Sequence, residues 1–268
     1  MNPYLTQGDT IISFSGGRTS GFMLRQIIDA HGGTLPETVR VVFCNTGLEH
    51  PATYEFVRDV QDRWAVPIQW LEYDRVGGKA IARLVDFNTA SRKGEPFTKL
   101  IEYRKMLPTP LARFCTSELK IRTTARFVES LGWVEYDNAV GLRADEPKRV
   151  AKMKGDRKAE NVVLPMAKAG HTLADVLTFW KEQPFDLGLP DNGYGNCVGC
   201  FLKARHKIER IADENPEMLE WWADTETRVG ATFRIDRPSY SSTLVQVRIQ
   251  GKLFQGEEDD TIPCMCTD

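Results

Sequence analysis

The stretch from Thr10 to Ser20, TIISFSGGRTS, decides the fold. Its first half is β-branched and apolar, which predicts a strand from Thr10 to Ser15 that ends at two glycines. Apolar side chains then recur at helical spacing from Gly21 to Ala30 and predict a helix. A glycine-rich turn between a strand and a helix offers backbone N–H groups and the positive end of the helix dipole to an anion.

Strand-like and helix-like segments continue to alternate beyond this turn. This alternation predicts an α/β fold, a doubly wound and mostly parallel sheet of Rossmann-like type, with ligands at the carboxyl ends of the strands. Residues 76–110 are less regular and are expected to cross the active-site face with short helices. The further predicted strands are Val39–Cys44, Ile68–Tyr73 and Asn138–Gly141, and the further predicted helices run from Pro51 to about Trp64 and over Arg122–Leu131.

The C-terminal part differs in character. Leu173–Lys181, Ala204–Ala212 and Pro216–Ala223 are expected to be helical, whereas Pro184–Gly199 is a loop and residues from about 243 form a mixed tail. We therefore predict two parts: a nucleotide-binding α/β domain over residues 1–165, and a helical extension over residues 166–268. The extension carries a Cys-x-x-Cys loop and a Cys-x-Cys tail.

Composition narrows the classes of partner. The chain of 268 residues has a formal net charge of -2, so no global basic field draws it to nucleic acid, although its 35 Lys and Arg could form a local basic groove. No apolar run approaches the roughly 20 residues that span a bilayer, and no signal-peptide pattern is seen. We expect a cytoplasmic protein with no membrane partner. In a reducing compartment, its 6 cysteines favour metal binding or chemistry over disulfides.

The glycine turn itself permits two interpretations. Ser15, Thr19 and Ser20 add hydroxyls, and Arg18 can pair with a phosphate in bidentate fashion. The turn matches neither the Walker A pattern nor the dinucleotide fingerprint. The alternative is an ordinary strand-to-helix turn capped by a hydroxyl.

Five segments in order resemble one family. Ser-Gly-Gly-x-x-Ser after the first strand resembles the PP-loop of the adenine nucleotide alpha hydrolase superfamily, and within it the phosphoadenosine phosphosulfate (PAPS) reductase family, especially its bacterial and phage members. The other four are Asn45–Tyr54 after the second strand, Arg113-Phe114-Cys115 with Leu119-Lys120, Gly141-Leu142-Arg143-Ala144-Asp145-Glu146 with Arg149, and Gly193-Tyr194 with Cys197-Val198-Gly199-Cys200.

The resemblance implies a site for an adenine nucleotide, which is PAPS, adenylyl sulfate or ATP. Many family members have Lys-Asp where this chain has Arg18-Thr19, so the positive charge is kept and a carboxylate is lost. The implied nucleotide- and anion-binding residues are Ser15, Gly16, Gly17, Arg18, Thr19, Ser20, Asn45, Thr46, Gly47, Glu49, Lys120, Gly141, Arg143, Glu146 and Arg149.

The cysteines support a metal centre by the same resemblance. Cys115, Cys197 and Cys200 are the expected ligands of a [4Fe-4S] cluster, with zinc as the alternative. Related cluster-containing reductases have a Cys-Cys pair where this chain has Phe114-Cys115. A fourth ligand could come from Cys264 or Cys266, or one iron could stay open, as in cluster-dependent tRNA thiolation enzymes. Cys44 ends an apolar strand and is expected to pack as a small hydrophobe.

Three functions remain open at this point. The first is thiol- or cluster-dependent reduction of activated sulfate, with Cys264 or Cys266 as the attacking thiol, Arg143 as a catalytic cation, and thioredoxin or glutaredoxin as the electron donor. The second is an ATP-dependent sulfurtransferase that thiolates tRNA or DNA, which would make nucleic acid a partner. The third is a non-enzymatic nucleotide or redox sensor. A homodimer is left open.

Overall fold

The computed structural model describes residues 2–153, 160–190, 193–250 and 261–262. Within them a six-stranded sheet has the order β4-β3-β2-β1-β5-β6, in which only the β3–β4 pair is antiparallel. The predicted α/β fold with a mostly parallel sheet is therefore confirmed. The strands are β1 Thr10–Ser13, β2 Val39–Asn45, β3 Ile68–Val76, β4 Lys79–Val85, β5 Tyr136–Val140 and β6 Glu160–Val163.

Helices cover both faces of the sheet and form the C-terminal part. They are α1 Arg18–Ala30, α2 Pro51–Arg63, α3 Glu95–Arg104, α4 Phe114–Thr116, α5 Arg122–Ser130, α6 Pro147–Met153, α7 Pro165–Ala169, α8 Leu173–Glu182, α9 Arg205–Glu214, α10 Glu217–Val229 and α11 Tyr240–Gln250. A π-helical turn, Ser117–Ile121, joins α4 to α5. No helix in the described ranges is long and apolar enough to cross a membrane.

Alternation along β1 divides the core between the two faces of the sheet. Ile12 packs with α1, α2 and α8, whereas Ile11 packs on the opposite face with Phe127 and Val128 of α5. Both β1 side chains are fully buried, as expected for a central parallel strand. The chain runs from β1 to β2 on one side and returns to β5 on the other, so the glycine turn after β1 lies at the topological switch point.

Two segments differ from the sequence-based expectation. Residues 79–85, expected to be irregular, form the edge strand β4, which pairs with β3 through a hairpin at Gly77-Gly78. The strand was hard to recognise because it lies at the edge of the sheet, where exposed residues such as Lys79, Arg83 and Leu84 are tolerated. These residues obscure the alternation of apolar and polar side chains that is typical of a strand. The tail expected from residue 243 begins instead as helix α11. The proposed division near residue 165 stays a prediction.

Candidate functional site

The glycine turn packs tightly against α2. Gly16 has a φ of +76°, and a Cβ placed there would come within 2.7 Å of Thr53 Cγ2 and 3.1 Å of Phe43 Cε2. Glycine is needed here both for its left-handed backbone and for its lack of a side chain. Gly17 then caps α1 with no side-chain hydrogen bond.

Hydroxyls close this turn from within. The Ser15 and Ser20 hydroxyl oxygens lie 2.9 Å apart, and the Ser15 backbone N–H donates to Ser20 Oγ at 3.2 Å. Ser20 Oγ in turn donates to the Gly17 carbonyl. The turn thus presents the N-terminus of the 13-residue helix α1 at the switch point, which is the arrangement that binds phosphate in α/β proteins.

The segment after β5 lies directly against the turn. A Cβ on Gly141 would sit 3.3 Å from Ser20 Cα, so this glycine permits the close approach. Two residues later, Arg143 donates from Nη1 to Thr19 Oγ1 at 3.2 Å. The structure therefore brings Gly141 and Arg143 to the glycine turn, although they are more than 120 residues away in the chain.

Carboxylates hold Arg143 and Arg149 in place. Arg143 contacts Asp145 at 3.0 Å and Glu146 at 3.4 Å. Glu146 also accepts the Arg143 backbone N–H at 3.1 Å and pairs with Arg149. Glu146 is thus placed as an ordering residue between two cations, rather than as an isolated surface acid.

Arg18 is engaged by the segment that follows α8. Its guanidinium makes a bidentate pair with Asp186, with N–O distances of 2.7 and 2.6 Å. The Trp180 indole N–H donates to the Arg18 carbonyl at 2.8 Å. The C-terminal part therefore buttresses the glycine turn, and Arg18 would exchange a carboxylate for a phosphate if it bound one.

The loop after β2 is an internally bonded, buried unit. Asn45 donates to Glu72 at 2.7 Å and accepts from the Gly47 N–H at 2.9 Å. Thr46 Oγ1 donates to Glu49 at 2.7 Å, and Glu49 accepts two further backbone N–H groups. Gly47, with a φ of +80°, packs on Gly94. These side chains shape the loop from within.

The three predicted cysteine ligands line one cavity. Cys115, Cys197 and Cys200 share it with Thr46 and Lys120. Cys197 reaches it because the Cys-x-x-Cys loop forms an antiparallel bridge with Glu49, and the Cys200 N–H donates to the Cys197 carbonyl at 3.1 Å. Among the described residues, no three metal-ligating side chains are already gathered around one point.

The environment of Cys197 disfavours its thiolate. Burial, followed by the charge of Glu49, raises the pKa of the Cys197 thiol well above its usual range, although Lys120 acts in the opposite direction. Thr46 Oγ1 lies 3.3 Å from its sulfur. In this state the thiol is protonated and hydrogen-bonded at neutral pH.

A second cavity opens beside the glycine turn, at the ends of β1, β2 and β5. Cys44 packs against the core next to Thr124, as expected for a small hydrophobic residue, and its side chain also lines this cavity. Ser13, Asn138 and Glu160 form its polar wall, where Ser13 donates to Asn138 at 2.8 Å and Asn138 donates to Glu160 at 2.7 Å. The lining is Ser13, Phe14, Ser15, Val42, Cys44, Thr116, Lys120, Ile121, Thr124, Asn138, Val140, Met153 and Glu160.

Several of these wall residues were not foreseen from the sequence. Asn138 and Ser13 lie inside predicted strands, and a polar residue in a buried strand is the signal that could have revealed them. Thr116 and Thr124 flank the π-helical turn, which no sequence pattern indicated. Thr116 and Lys120 also line the cysteine cavity, so the two cavities share a wall.

The predicted catalytic cysteines Cys264 and Cys266 lie outside the described residues. The described residues just before them are tied to the cysteine loop. The Ile262 N–H donates to the Leu202 carbonyl at 2.8 Å, and Thr261 Oγ1 accepts from the Ala204 N–H at 3.0 Å.

Comparison with known proteins gives the following similarities. The family model of the phosphoadenosine phosphosulfate reductase domain matches residues 9–167. The nin region protein ORF290 of Escherichia phage lambda is 33% identical over 207 residues, which cover 74% of this chain and 67% of the relative.

Two solved structures are similar at low identity. Phosphoadenylyl-sulfate (PAPS) reductase from Candida auris is 17% identical, with a TM-score of 0.43 over 68% of this chain and 79% of its own. The U34-tRNA thiolase NcsA from Methanococcus maripaludis, with its [4Fe-4S] cluster, is 13% identical, with a TM-score of 0.39 over 97% of this chain and 80% of its own.

The match covers more than half of the chain and includes the glycine turn, the loop after β2, the Arg113–Lys120 segment and the segment after β5. On this match and on its similarity to the phage lambda protein, the chain belongs to the phosphoadenosine phosphosulfate reductase domain family.

Proposed function

We propose that this protein binds an adenine nucleotide carrying an activated sulfate, PAPS or adenylyl sulfate, and reduces it with a cysteine thiol. The observation that carries the proposal is the wall shared by the two cavities. Thr116 and Lys120 border both the cavity at the glycine turn and the cavity lined by three cysteines. A nucleotide whose phosphate lies at the turn can therefore direct its sulfonyl group toward sulfur ligands or nucleophiles.

The nucleotide would be held by the turn and its neighbours. The N–H groups at the start of α1 and the hydroxyls of Ser15, Thr19 and Ser20 supply neutral donors. Arg143, already 3.2 Å from Thr19 Oγ1, adds a cation at the same edge. A charge-assisted hydrogen bond to such a group contributes about 1.5–3 kcal/mol.

The reaction step is a sulfur-centred displacement. The thiolate sulfur bonds to the sulfate sulfur, the S–O bond to the nucleotide phosphate breaks, and the leaving oxygen takes the electron pair. The products are an S-sulfocysteine and the nucleotide without its sulfate. A second thiolate, from a dithiol donor of the thioredoxin or glutaredoxin class, then attacks the cysteine sulfur, so that sulfite leaves and a disulfide remains.

The attacking thiol is assigned to Cys264 or Cys266. Ile262 is bonded to Leu202, two residues after Cys200. This attachment of the chain at Ile262 beside the cysteine loop supports the assignment to the tail.

The cysteine cavity also offers three sulfur donors, which are of the type that binds an iron–sulfur cluster or zinc. Cys115, Cys197 and Cys200 would hold a [4Fe-4S] cluster or zinc, and metal binding would supply the deprotonation that the raised pKa of Cys197 opposes. A cluster there would supply electrons or a sulfur-binding iron beside Lys120.

The same three-cysteine cavity favours a second function. An ATP-dependent sulfurtransferase would activate an acceptor at the glycine turn and deliver sulfur from the cysteine cavity. It differs from the reductase in the nucleotide used and in the presence of a nucleic-acid acceptor.

The test uses anaerobically purified full-length protein mixed with PAPS, adenylyl sulfate or ATP, with and without thioredoxin and dithiothreitol. Sulfite release is measured, and intact-protein mass spectrometry detects the S-sulfo adduct of about 80 Da expected for an added SO3 group. The double variant Cys264→Ser/Cys266→Ser should abolish the adduct, whereas the control Arg25→Ala, at a residue that lines neither cavity, should retain it.

Three results would separate the alternatives. Sulfite with a tail-dependent adduct establishes the reductase. ATP turnover without sulfite, together with thiolated nucleosides in cells that express the wild type but not Arg143→Ala, favours the sulfurtransferase. Nucleotide binding with no turnover of any of the three would leave a sensor and overturn the proposal.

A further inference from the structure

A basic surface borders the cysteine cavity on the side of α3 and α5, although the whole chain has a formal net charge of -2. Its charges are not explained by the nucleotide site. We call it the basic strip, and it consists of Arg75, Arg83, Lys99, Tyr103, Arg104, Arg122 and Arg126.

Direct contacts join the members of the strip into one surface. Lys99 contacts Asp74 at 2.6 Å, and Arg83 contacts the same carboxylate at 3.7 Å. Lys99 and Tyr103 are four residues apart on α3 and so share one face of the helix.

The other half of the strip gathers around one carboxylate. Glu118 accepts from Arg104 at 2.6 Å, Arg122 at 2.9 Å and Arg126 at 3.2 Å. The Arg126 guanidinium lies 5.9 Å from the Tyr73 ring centre, and Arg75 donates to the Tyr73 hydroxyl, which links the two halves.

The carboxylates lie beneath the cations. The side chains of Arg83, Lys99, Arg104 and Arg122 are 42%, 44%, 38% and 61% exposed, whereas those of Glu72, Asp74 and Glu118 are 0%, 12% and 7% exposed. Six cations thus lie over three carboxylates, and an excess of two positive charges remains even when exposed Glu102 on α3 is counted. Solvent meets mostly the positive partner of each pair.

An exposed aromatic residue completes the surface. Tyr103 is 55% exposed, and the Arg75 guanidinium stacks 3.5 Å from its ring centre. Flat aromatic and guanidinium groups set among cations are the elements that bind unstacked bases and phosphates of single strands. A neutral or acidic peptide would leave the stacking surface unused.

The strip leads to the cysteine cavity. The Arg104 guanidinium lies 5.6 Å from the Phe114 ring centre. Phe114 directly precedes Cys115, which lines the cavity. We infer that the basic strip binds single-stranded nucleic acid and places it at the entrance of the cysteine cavity. Binding at this surface needs neither the nucleotide nor the reaction proposed above.

The test is fluorescence anisotropy with a labelled 20-nucleotide single strand of mixed sequence, as DNA and as RNA, in the absence of nucleotide. The same full-length protein is titrated with the matching duplex and with poly-glutamate of equal charge. Binding is measured from 50 to 200 mM salt. The variants are Lys99→Ala, Tyr103→Ala and Arg122→Ala, and the matched control is Arg25→Ala, which removes a half-exposed Arg on the opposite face of the sheet.

A single strand should bind more tightly than the duplex or poly-glutamate. Tyr103→Ala should weaken its binding by about fivefold or more. The slope of the logarithm of the binding constant against the logarithm of the salt concentration should become less steep by about 0.7 in Lys99→Ala and in Arg122→Ala. This is the value expected for one lost phosphate contact. Arg25→Ala should change neither quantity.

Absence of binding at 50 mM salt would overturn the inference. Equal binding of poly-glutamate would also overturn it, because the surface would then recognise charge alone, as an acidic protein partner would require. Binding that survives all three strip substitutions would place any nucleic-acid site elsewhere. Melting curves of each variant show whether its fold is retained.

Discussion

Replacing Gly16 by alanine tests whether the glycine turn is built as described. The new Cβ would meet Thr53 Cγ2 at 2.7 Å, and Phe43 Cε2 and Val57 Cγ2 at 3.1 Å. The left-handed backbone costs about 1–2 kcal/mol for a residue with a Cβ. Overpacking a well-filled site adds about 1–3 kcal/mol. We therefore expect the free energy of unfolding to fall by about 2–5 kcal/mol.

Gly132→Ala is the matched control. Gly132 has a φ of +77°, nearly the same as Gly16, but a Cβ there meets nothing within 4 Å. Both variants restrict the unfolded chain equally, so the difference between them isolates the packing cost of about 1–3 kcal/mol. Adding Thr53→Ser to Gly16→Ala removes the closest methyl group and should recover part of that difference.

The assay is urea unfolding followed by tryptophan fluorescence and far-UV circular dichroism. A shift in midpoint at constant slope measures stability alone. If Gly16→Ala and Gly132→Ala lose the same stability, the close packing of the turn on α2 is wrong. If Thr53→Ser fails to recover any stability, the clash has been assigned to the wrong atom.

Three further predictions address charge and metal. Glu118→Gln should lower the free energy of unfolding by about 1–3 kcal/mol at pH 7, since it weakens three hydrogen bonds to guanidinium groups. Burial opposes ionisation of Glu118, but its arginine partners outweigh burial and lower its pKa. The loss in the free energy of unfolding should be complete above the pKa of Glu118 in the unfolded chain, which is about 4.3. It should vanish as the pH falls through the lower pKa of Glu118 in the folded protein, and urea titrations from pH 3 to 7 would show this. Asp186→Asn should change the free energy of unfolding by less than about 1 kcal/mol. It should nevertheless tighten nucleotide binding, measured by calorimetry, because Arg18 no longer pairs with a carboxylate. Weaker binding would mean that the ion pair positions Arg18 for the nucleotide. Anaerobic protein should be brown with about four irons per chain, and Cys197→Ala should be colourless, whereas an iron-free wild type would leave zinc or free thiols.

The sequence predicted the central fold because the buried strands are continuous apolar runs that end at glycines or polar turns. Four strands and the helices α1, α2 and α5 lie within a few residues of their predicted bounds. Helix α8, expected from Leu173, likewise begins at that residue, directly after a capping box between Thr172 and Asp175. Local signals of this kind need no knowledge of tertiary contacts.

The features that were missed depend on distant partners. Glu72 stands in a predicted strand and is fully buried, yet its charge is balanced by Arg83 from a strand that the sequence did not indicate. The π-helical turn Ser117–Ile121 has no periodic signature, although it carries Glu118 and Lys120 to two different surroundings. A single sequence does not show which buried carboxylate will be paired with a cation from a distant segment.

The candidate site was predicted in its segments but not in its geometry. The ordered motifs marked the turn, the Arg143 segment and the cysteines. The structure brings Arg143 to the turn, and it places Ser15 and three of the cysteines in two cavities with a shared wall. The pairing of Arg18 with Asp186 was not predicted, because nothing near either residue indicates the other.

The central claim is that an adenine nucleotide binds at the glycine turn. Isothermal titration of PAPS, adenylyl sulfate and ATP into the full-length protein tests it most directly, with Arg143→Ala and the control Arg25→Ala alongside. At least one nucleotide should bind with one site per chain, and Arg143→Ala should weaken it about tenfold or more, as loss of a charge-assisted hydrogen bond predicts. Absence of binding by all three nucleotides, or equal binding by wild type and Arg143→Ala, would contradict the account.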